Sequence, residues 1–278
     1  MTDSRTATSK LTQFYRALSP SIETVKEALA FAGVNTDHPQ ARDLYSRDID
    51  CHNLGMHRML QLLANVASEY GEPGPAETIL DLGCGLGGPG RFLADRFGCS
   101  VLGIDLLPLR IELAQALAEM TNTIDRVSYR MADATDLDLA DSSFAQVWML
   151  DASIHIRNKQ ALFGEIARVL QPNGLLVMHE QTGPLPPSMR PLMLQAPYIA
   201  PSLPQLIRYI ETAGLRLLTW RDTTPVVIDY FLTMRDLVLE DSEPRDSRRR
   251  TGIPLLDAYL ETLAERGGRT GMLIARHR

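Results

Sequence analysis

The amino-acid sequence predicts an α/β fold built on a doubly wound, mostly parallel sheet of seven strands. Apolar segments with strand character alternate with segments of helical spacing between residues 77 and 180. Strands that are apolar throughout must be covered on both faces, which is typical of a parallel sheet between two layers of helices. A glycine-rich turn follows the first of these strands, and acidic residues stand at or near the ends of the first three. Ligands of such sheets bind at the carboxyl ends of the strands.

The first 70 residues are predicted to form an N-terminal helical cap, residues 1–70. Residues 10–18 and 21–32 are short amphipathic segments, and apolar side chains recur at helical spacing over 55–70. The sequence Gly-Glu-Pro-Gly-Pro at 71–75 then breaks the pattern. The core of the protein is therefore expected to begin at residue 71.

The central segment, residues 71–182, carries the regular alternation that predicts the sheet. Strands are predicted at 77–82, 99–105, 127–131, 145–150 and 174–180, and helices at 90–97, 108–121 and 158–170. Asn173 stands at the turn before the fifth strand, and asparagine tolerates the left-handed backbone that such a turn requires.

The alternation becomes irregular after the fifth strand. Residues 183–204 contain seven prolines, which predict a rigid, irregular loop rather than a flexible linker. Residues 205–278 are expected to finish the core. Helical segments are predicted at 202–213, 225–242 and 253–266, and strands at 215–221 and 270–276.

The glycine-rich turn is the strongest local indication of a binding site. Residues 79–90 read Ile-Leu-Asp-Leu-Gly-Cys-Gly-Leu-Gly-Gly-Pro-Gly. The glycines let the backbone approach a ligand closely, and a helix is predicted directly after them. Asp105 ends the next strand 20 residues after Gly85, a spacing at which an acid binds ribose hydroxyls. The pattern predicts a nucleotide-like ligand.

Two further acids help to choose between nucleotide-like ligands. The glycine pattern alone also fits a dinucleotide fingerprint, so an NAD-dependent oxidoreductase stays an alternative. Asp81 directly precedes the glycines, where a carboxylate repels a pyrophosphate and suits an ammonium group; a helix-capping carboxylate is its other interpretation. Asp133 follows the third strand and is placed for an adenine amine; a turn-forming aspartate is its other interpretation, and Asp136 or Asp138 compete with it. Ammonium, ribose and adenine without phosphate describe S-adenosylmethionine.

At this point the sequence resembles the class I S-adenosylmethionine-dependent methyltransferases. The matching segments are Asp81-Leu-Gly-Cys-Gly-Leu-Gly, Gly103-Ile-Asp105, Ala132-Asp133-Ala134-Thr135-Asp136-Leu137 and Leu170-Gln-Pro-Asn-Gly174-Leu-Leu-Val. The resemblance implies a Rossmann-like methyltransferase fold, with the insertion at about 225–266 forming a helical lid. The Gly-Gly-Pro after the first loop is similar to the branch that methylates small metabolites such as tocopherol, sarcosine and terpenoids. Asn173 departs from the glycine that is common in this family.

The resemblance implies a set of residues that bind the methyl donor. They are Asp81 for the ammonium group, Asp105 for the ribose, Asp133 for the adenine, Leu106 and Ala134 beside the adenine ring, and Gly83, Cys84, Gly85, Gly87 and Leu150 along the ligand. The implied cofactor is S-adenosyl-L-methionine, which becomes S-adenosyl-L-homocysteine.

Three residues after the fourth and fifth strands are the candidates for catalysis. His155 is expected beneath the donor methyl group, where it is a general base or a hydrogen-bonded structural histidine. Glu180 and His179 end the fifth strand, and because neighbouring strand residues point to opposite faces, only one is expected to meet the substrate. Glu180 would remove a proton or stabilise a developing cation. A polar pair at the sheet edge is the alternative.

The methyl acceptor is expected to meet an apolar surface of methionines and aromatic residues. These candidates either line the acceptor pocket or pack a lid onto the core: Met189, Met193, Tyr198, Ile228, Tyr230, Phe231 and Met234. His52, His57, Tyr15 and Tyr45 are candidates for its upper wall.

Composition limits the classes of partner. The net charge of −6 argues against nucleic acid, which needs a basic face. Three widely spaced cysteines and six histidines show no ligand spacing, so no metal is predicted. The N-terminus has no apolar signal core and no run suits stable membrane insertion, which predicts a cytoplasmic protein. The sequence leaves a homo-oligomer open.

The sequence therefore predicts an enzyme that transfers a methyl group from S-adenosylmethionine to a small, largely apolar metabolite, in secondary metabolism. An isoprenoid or aromatic acceptor fits this prediction, and the accepting atom stays open between carbon, nitrogen and oxygen. Two alternatives remain: the NAD-dependent oxidoreductase and a protein of this fold that binds the donor without methyl transfer.

Overall fold

The computed structural model describes residues 11–16, 19–51, 56–183, 198–240, 257, 260–261, 263 and 268–278. Seven strands form one sheet: β1 (Thr78–Leu82), β2 (Ser100–Asp105), β3 (Val127–Met131), β4 (Phe144–Leu150), β5 (Leu170–Thr182), β6 (Leu215–Asp222) and β7 (Arg269–His277). Their order across the sheet is β3-β2-β1-β4-β5-β7-β6. β1 to β5 run parallel, and β7 runs antiparallel between β5 and β6. The predicted fold class is confirmed.

Helices connect the strands and cover both faces of the sheet. They are α1 (11–16), α2 (Ile22–Phe31), α3 (Ala41–Tyr45), α4 (Met56–Ser68), α5 (Gly88–Phe97), α6 (Pro108–Met120), α7 (Lys159–Val169), α8 (Leu203–Thr212) and α9 (Thr224–Glu240), with a 3₁₀ turn at Ser153–His155. None of the helices described is long and apolar enough to cross a membrane.

Alternation along the central strands divides the core into two apolar layers. In β4, Trp148 packs in the layer that contains α4 and α5, whereas Val147 and Met149 pack in the layer that contains α7 and α8. In β1, Ile79 and Leu80 divide in the same way. Successive side chains of a strand point to opposite faces, so the apolar strands predicted from the sequence bury both faces at once.

The end of α7 differs from its prediction. β5 begins at Leu170, directly after the helix, because Leu170 pairs with Phe144 before the chain bulges. The turn at Asn173 then lies inside the strand, with a positive φ of 66°. The sequence predicted the left-handed turn but not the pairing before it, since that contact depends on the position of β4.

Two other segments were incompletely predicted. The five-residue helix α3 has no counterpart in the sequence prediction; its Asp43 side chain accepts the Gln40 backbone N–H in a capping box. The helical segment predicted at 253–266 lies mostly outside the described residues, although 257, 260–261 and 263 are helical.

The N-terminal helices pack against the loops that carry the site. Val25 and Leu29 of α2 are buried with Leu86 of the glycine-rich turn and Leu117 of α6. Leu11 of α1 packs beside the chain that follows β2. This packing brings the start of the chain to the carboxyl edge of the sheet.

Candidate functional site

A cleft opens at the carboxyl ends of β1, β2, β3 and β4. It contains about 990 Å³ of space free of protein atoms, open solvent at its mouth included. The cleft lies where the strand order reverses, with β1 between β2 and β4 and connections that leave in opposite directions. Its walls contain the predicted residues Asp81, Gly83, Cys84, Gly85, Asp105, Leu106, Asp133, Ala134, Leu150 and His155.

The glycine-rich turn requires its glycines for two reasons. Gly83, Gly85 and Gly87 have positive φ angles of 76°, 56° and 77°, which other residues rarely adopt. A Cβ on Gly83 would lie 2.4 Å from the Ala152 Cβ, and one on Gly87 would lie 2.3 Å from the Tyr129 hydroxyl oxygen. The turn is therefore closely packed at these two positions; Gly83 and Gly85 line the cleft, whereas Gly87 does not.

Buried Arg91 holds this turn in shape, a role that the sequence analysis missed. Its guanidinium donates to the Asp50 carboxylate at 2.6 Å and to the Leu86 carbonyl at 2.6 Å, and it lies 3.0 Å from the Tyr129 hydroxyl. Tyr129 in turn donates to the Gly87 carbonyl. The sequence showed only an arginine within a predicted helix. Such an arginine is usually exposed on the surface, so nothing in the sequence indicated that this one is buried.

Asp81 is buried at the end of β1, where its environment favours the neutral form. Burial, and then the nearby Asp105 carboxylate, raise the pKa of Asp81 to about 7, although Arg91 opposes the shift. Its Oδ2 has no hydrogen-bond partner among the described residues. A buried acceptor without a partner is costly, and a ligand ammonium group would supply both a donor and a compensating charge.

Asp105 shapes the end of β2 and faces the cleft. Its two carboxylate oxygens accept backbone N–H bonds from Gly85 at 3.1 Å and from Leu107 at 2.9 Å. Burial raises its pKa, whereas these N–H donors and Arg110 lower it. A carboxylate oxygen accepts more than one hydrogen bond, so both atoms can also receive a vicinal diol.

The third acid lies farther along the same edge. Asp133 is exposed, and its Oδ1 accepts the backbone N–H and the hydroxyl of Thr135, at 2.8 and 2.7 Å. Asp133 therefore forms the turn that was its other interpretation. Both of these bonds use Oδ1, so Oδ2 could accept a ligand amine. Leu106, which is 37% exposed, and Ala134 provide apolar contact near it.

His155 and Tyr15 meet across the cleft. Tyr15 on α1 lies with its hydroxyl 2.8 Å from Nε2 of His155, and the two rings meet edge to face. The Arg110 guanidinium lies 4.4 Å from the centre of the Tyr15 ring. Burial raises the pKa of Tyr15 to about 12, so the phenol stays protonated. This contact makes α1 the outer wall of the site.

Glu180 and His179 are both fully buried in β5 and neither lines the cleft. Burial, and then Asp151, raise the pKa of Glu180 to about 7. Lys159, whose pKa burial lowers to about 8, donates to the carbonyls of Ser153 and Ile156 and so closes the 3₁₀ turn that carries His155. Lys159 is close enough to Glu180 to oppose the rise in its pKa. Glu180 therefore lies beside this turn and not in the opening of the cleft.

His179 reaches the cleft only through Asp151. Its Nδ1 lies 3.0 Å from one Asp151 carboxylate oxygen and 3.1 Å from the other. Asp151 lines the cleft next to Leu150 and was not selected from the sequence. The sequence did contain an indication of Asp151 as a site residue. It directly follows an apolar strand, whereas Asp105 is the last residue of one.

The predicted acceptor residues are divided between the core and segments that the structure does not describe. His52, Met189 and Met193 lie outside the described residues. Phe231 is buried in the core, with Ile228 and Tyr230 packed beside it, whereas His57 and Tyr45 pack on Phe92. Met234 is half-buried, and the Tyr198 hydroxyl donates to Gln181 at 3.0 Å. Those of them that the structure describes do not line the cleft, whereas Tyr15, the other predicted wall residue, does.

Metal ligation has no candidate within the described ranges, where no group of three or more His, Cys, Asp or Glu side chains is arranged to hold an ion.

Comparison with known proteins agrees with the geometry. A family model described as a methyltransferase domain matches residues 79–174, the segment that supplies the cleft's glycine-rich turn and all four of its strand ends. The methyltransferase GfsG of Streptomyces halstedii is 31% identical over 192 residues, which are 68% of this chain and 64% of that protein. The predicted resemblance to the class I S-adenosylmethionine-dependent methyltransferases is confirmed, and residues 79–174 form a methyltransferase domain. The oxidoreductase alternative is not supported by these matches.

Other similar proteins match this chain over a smaller share of their length or at lower sequence identity. A probable chloroplastic tocopherol O-methyltransferase of Oryza sativa subsp. japonica is 32% identical over 119 residues, which are 41% of this chain and 33% of that protein. The chain thus spans between a third and two thirds of these two relatives. A putative sarcosine dimethylglycine methyltransferase from Galdieria sulphuraria shares the fold, with a TM-score of 0.71 and 21% identity over 79% of this chain and 85% of that one.

Proposed function

We propose that the chain transfers the methyl group of S-adenosylmethionine to a small, largely apolar metabolite, an isoprenoid or aromatic compound of secondary metabolism. The main support is buried Asp81, whose Oδ2 has no hydrogen-bond partner in the described part of the chain and whose pKa is raised to about 7 beside the glycine-rich turn. A phosphate group would be repelled by the Asp81 carboxylate. An ammonium group would donate a hydrogen bond to Oδ2 and would also compensate the buried negative charge.

The donor would lie across the strand ends in a fixed order. Its amine would meet Asp81, its ribose Asp105 and its adenine Asp133, with Leu106 and Ala134 against the ring. Cys84, Gly83, Gly85, Gly87 and Leu150 would contact its length. The buried thiol of Cys84 then acts as a small packing residue, since burial raises its pKa far above neutrality.

The chemistry at the methyl end needs alignment first and a base second. Methyl transfer from a sulfonium is an in-line displacement, and holding two reactants in this geometry supplies roughly 7–11 kcal/mol. His155, oriented by the Tyr15 hydroxyl at 2.8 Å, would remove a proton where the acceptor must lose one. The N-terminal cap, residues 1–70, would exclude water by closing over the donor through α1.

The nature of the acceptor is inferred from relatives. Proteins similar to this chain are named as methyltransferases of tocopherol, sterols and 2-methyl-6-phytyl-1,4-hydroquinone. These compounds are small and mostly apolar, and cleft residues such as Leu11 and Ile156 suit them. The proline-rich segment 183–204 and the helical insertion at about 225–266 would complete the acceptor pocket.

The test is direct. The full chain is incubated with methyl-labelled S-adenosylmethionine and a panel of prenylated hydroquinones, terpenoid alcohols, sterols and phenols, with Asp81→Asn as the control for donor binding. Label in an apolar product supports the proposal. Calorimetry that detects tight NADH binding and no binding of S-adenosylhomocysteine would overturn it.

A further inference from the structure

A fourth acidic side chain at the sheet edge, Asp151, has no role in the donor contacts proposed above. It follows β4 directly and lines the cleft between Leu150 and Ala152. Its backbone has a positive φ of 52°, which is rare for a residue other than glycine. Such a conformation persists only where the surrounding structure enforces it, and it occurs often at functional sites.

The structure enforces the position of Asp151 through His179. The backbone N–H of Asp151 donates to the His179 carbonyl at 2.8 Å, and Nδ1 of the same histidine lies 3.0 and 3.1 Å from the two carboxylate oxygens. An ionised carboxylate only accepts hydrogen bonds. Nδ1 therefore carries the proton, and the ring donates to Asp151.

The opposite side of the imidazole is also held. Nε2 of His179 lies 2.9 Å from the Thr223 hydroxyl, which lies 3.0 Å from the Thr270 hydroxyl. A neutral ring that is protonated on Nδ1 needs a donor at Nε2, and a hydroxyl provides one. With its side chain wholly buried, His179 is fixed in orientation and tautomer and in turn fixes the carboxylate.

The strand order gives the place of Asp151 relative to the donor. Along β3-β2-β1-β4 the cleft presents Asp133, Asp105, Asp81 and Asp151 in that order. Neighbouring strands lie about 4.8 Å apart. Under the proposed function the first three meet the adenine, the ribose and the amine. The fourth, on the strand next to β1, therefore lies at the methionine end of the donor, the part that contains the sulfonium.

A packing contact supports this position. A Cβ on Gly83 would lie 2.4 Å from the Ala152 Cβ, so the residue after Asp151 lies directly against the first glycine of the turn. His155, the candidate base, belongs to the 3₁₀ turn that begins two residues after Asp151. Asp151 thus belongs to a segment that touches the donor loop at Ala152 and carries the candidate base.

We propose that Asp151 places a negative charge at the sulfonium and its methyl group, and that His179 is the positioning residue that holds this carboxylate there. This inference rests on the proposed function. Its consequence is a preference for the charged donor over the product, because S-adenosylhomocysteine is a neutral thioether at the same atom. The site would then bind the donor more tightly than the product and release the product after transfer.

Two donor analogues test the charge without knowledge of the acceptor. Sinefungin carries an ammonium group in place of the methyl sulfonium, whereas S-adenosylhomocysteine carries no charge there. In calorimetry, Asp151→Asn is expected to weaken sinefungin binding by about tenfold or more and S-adenosylhomocysteine binding by less than about twofold. Asp105→Asn is the matched control and weakens both ligands equally, since both contain the ribose.

Two histidine variants test the positioning role. In His179→Asn the amide nitrogen stands near the position of Nδ1 and retains the bond to Asp151, whereas in His179→Gln it stands near Nε2 and retains the bond to Thr223. The first variant is expected to keep the preference for sinefungin, and the second to lose it as Asp151→Asn does. Retained S-adenosylhomocysteine binding shows in each case that the variant is folded.

The outcomes separate this inference from the proposed function. If the unmodified chain binds both analogues but Asp151→Asn changes them equally, the charge assignment is wrong and the proposed function stands. If His179→Gln keeps the preference or His179→Asn loses it, His179 does not position the carboxylate. If the unmodified chain binds neither analogue, the proposed function fails and the inference fails with it.

Discussion

Replacement of Asp105 by alanine is expected to weaken S-adenosylhomocysteine binding by about two orders of magnitude. Asp105 presents a carboxylate whose oxygens already accept the N–H groups of Gly85 and Leu107, so its orientation is fixed before the ligand binds. Two hydroxyls of a ribose would donate to it. A hydrogen bond to a charged group contributes about 1.5–3 kcal/mol, and two at the lower value give about 3 kcal/mol, or roughly 150-fold in Kd.

The assay is calorimetric titration at a pH above neutrality, since burial raises the Asp105 pKa and the carboxylate should be ionised. Thermal unfolding of the same variant checks that the loop has not collapsed. Asp133→Ala is the comparison, because exposed Asp133 offers one oxygen to a neutral amine and should lose about tenfold or less. An unchanged Kd for Asp105→Ala would refute the ribose assignment and the order of contacts built on it.

Three further predictions concern the same turn. The Asp81 pKa lies at about 7, above its ordinary value of 3.8, so the folded apo-protein favours the protonated acid and loses stability as pH rises from about 4 to about 7. Because its ammonium group would pair with ionised Asp81, S-adenosylhomocysteine should bind more tightly as pH rises towards 7. The affinity should rise by up to about tenfold per pH unit and then level off. If the affinity of Asp81→Asn depended on pH as steeply as that of the unmodified chain, this prediction would be contradicted. In Gly87→Ala the added Cβ would lie 2.3 Å from the Tyr129 hydroxyl oxygen, so this variant should lose donor binding. Gly98 has a similar φ but open space around it, so Gly98→Ala should only lower the melting temperature. Equal effects of the two variants on donor binding in calorimetry would contradict the packing argument. Asp50→Ala leaves the buried Arg91 guanidinium without its carboxylate and should lower the free energy of unfolding by about 3–5 kcal/mol in urea titration; a loss below about 1 kcal/mol would show that this ion pair does not hold the turn.

Local patterns predicted the strands and the glycine-rich turn well, for a physical reason. β1, β2 and β4 are apolar on both faces, and the glycines at 83, 85 and 87 occupy turn positions whose positive φ disfavours other residues. Both signals are local, so they can be recognised without knowledge of the fold. The same holds for Asn173, whose left-handed backbone was predicted from its residue type alone.

Contacts between distant segments were beyond such patterns. Tyr15 meets His155 across 140 residues, and Arg91 reaches Asp50 across 41. His179 was selected as a candidate for catalysis, but nothing local showed that its ring lies between Asp151 and Thr223. These partners depend on where the sheet places each strand end.

The sequence by itself determined the α/β architecture, the glycine-rich turn and the three acids that line the cleft, because each depends on backbone conformation or on the residue at or near the end of a strand. The tertiary structure alone decided which buried charges are paired, that one Asp81 oxygen has no hydrogen-bond partner among the described residues, and that His179 contacts the cleft residue Asp151. Burial and pairing of a charge depend on the groups that surround it in space, and those groups come from strands and helices far apart in the chain.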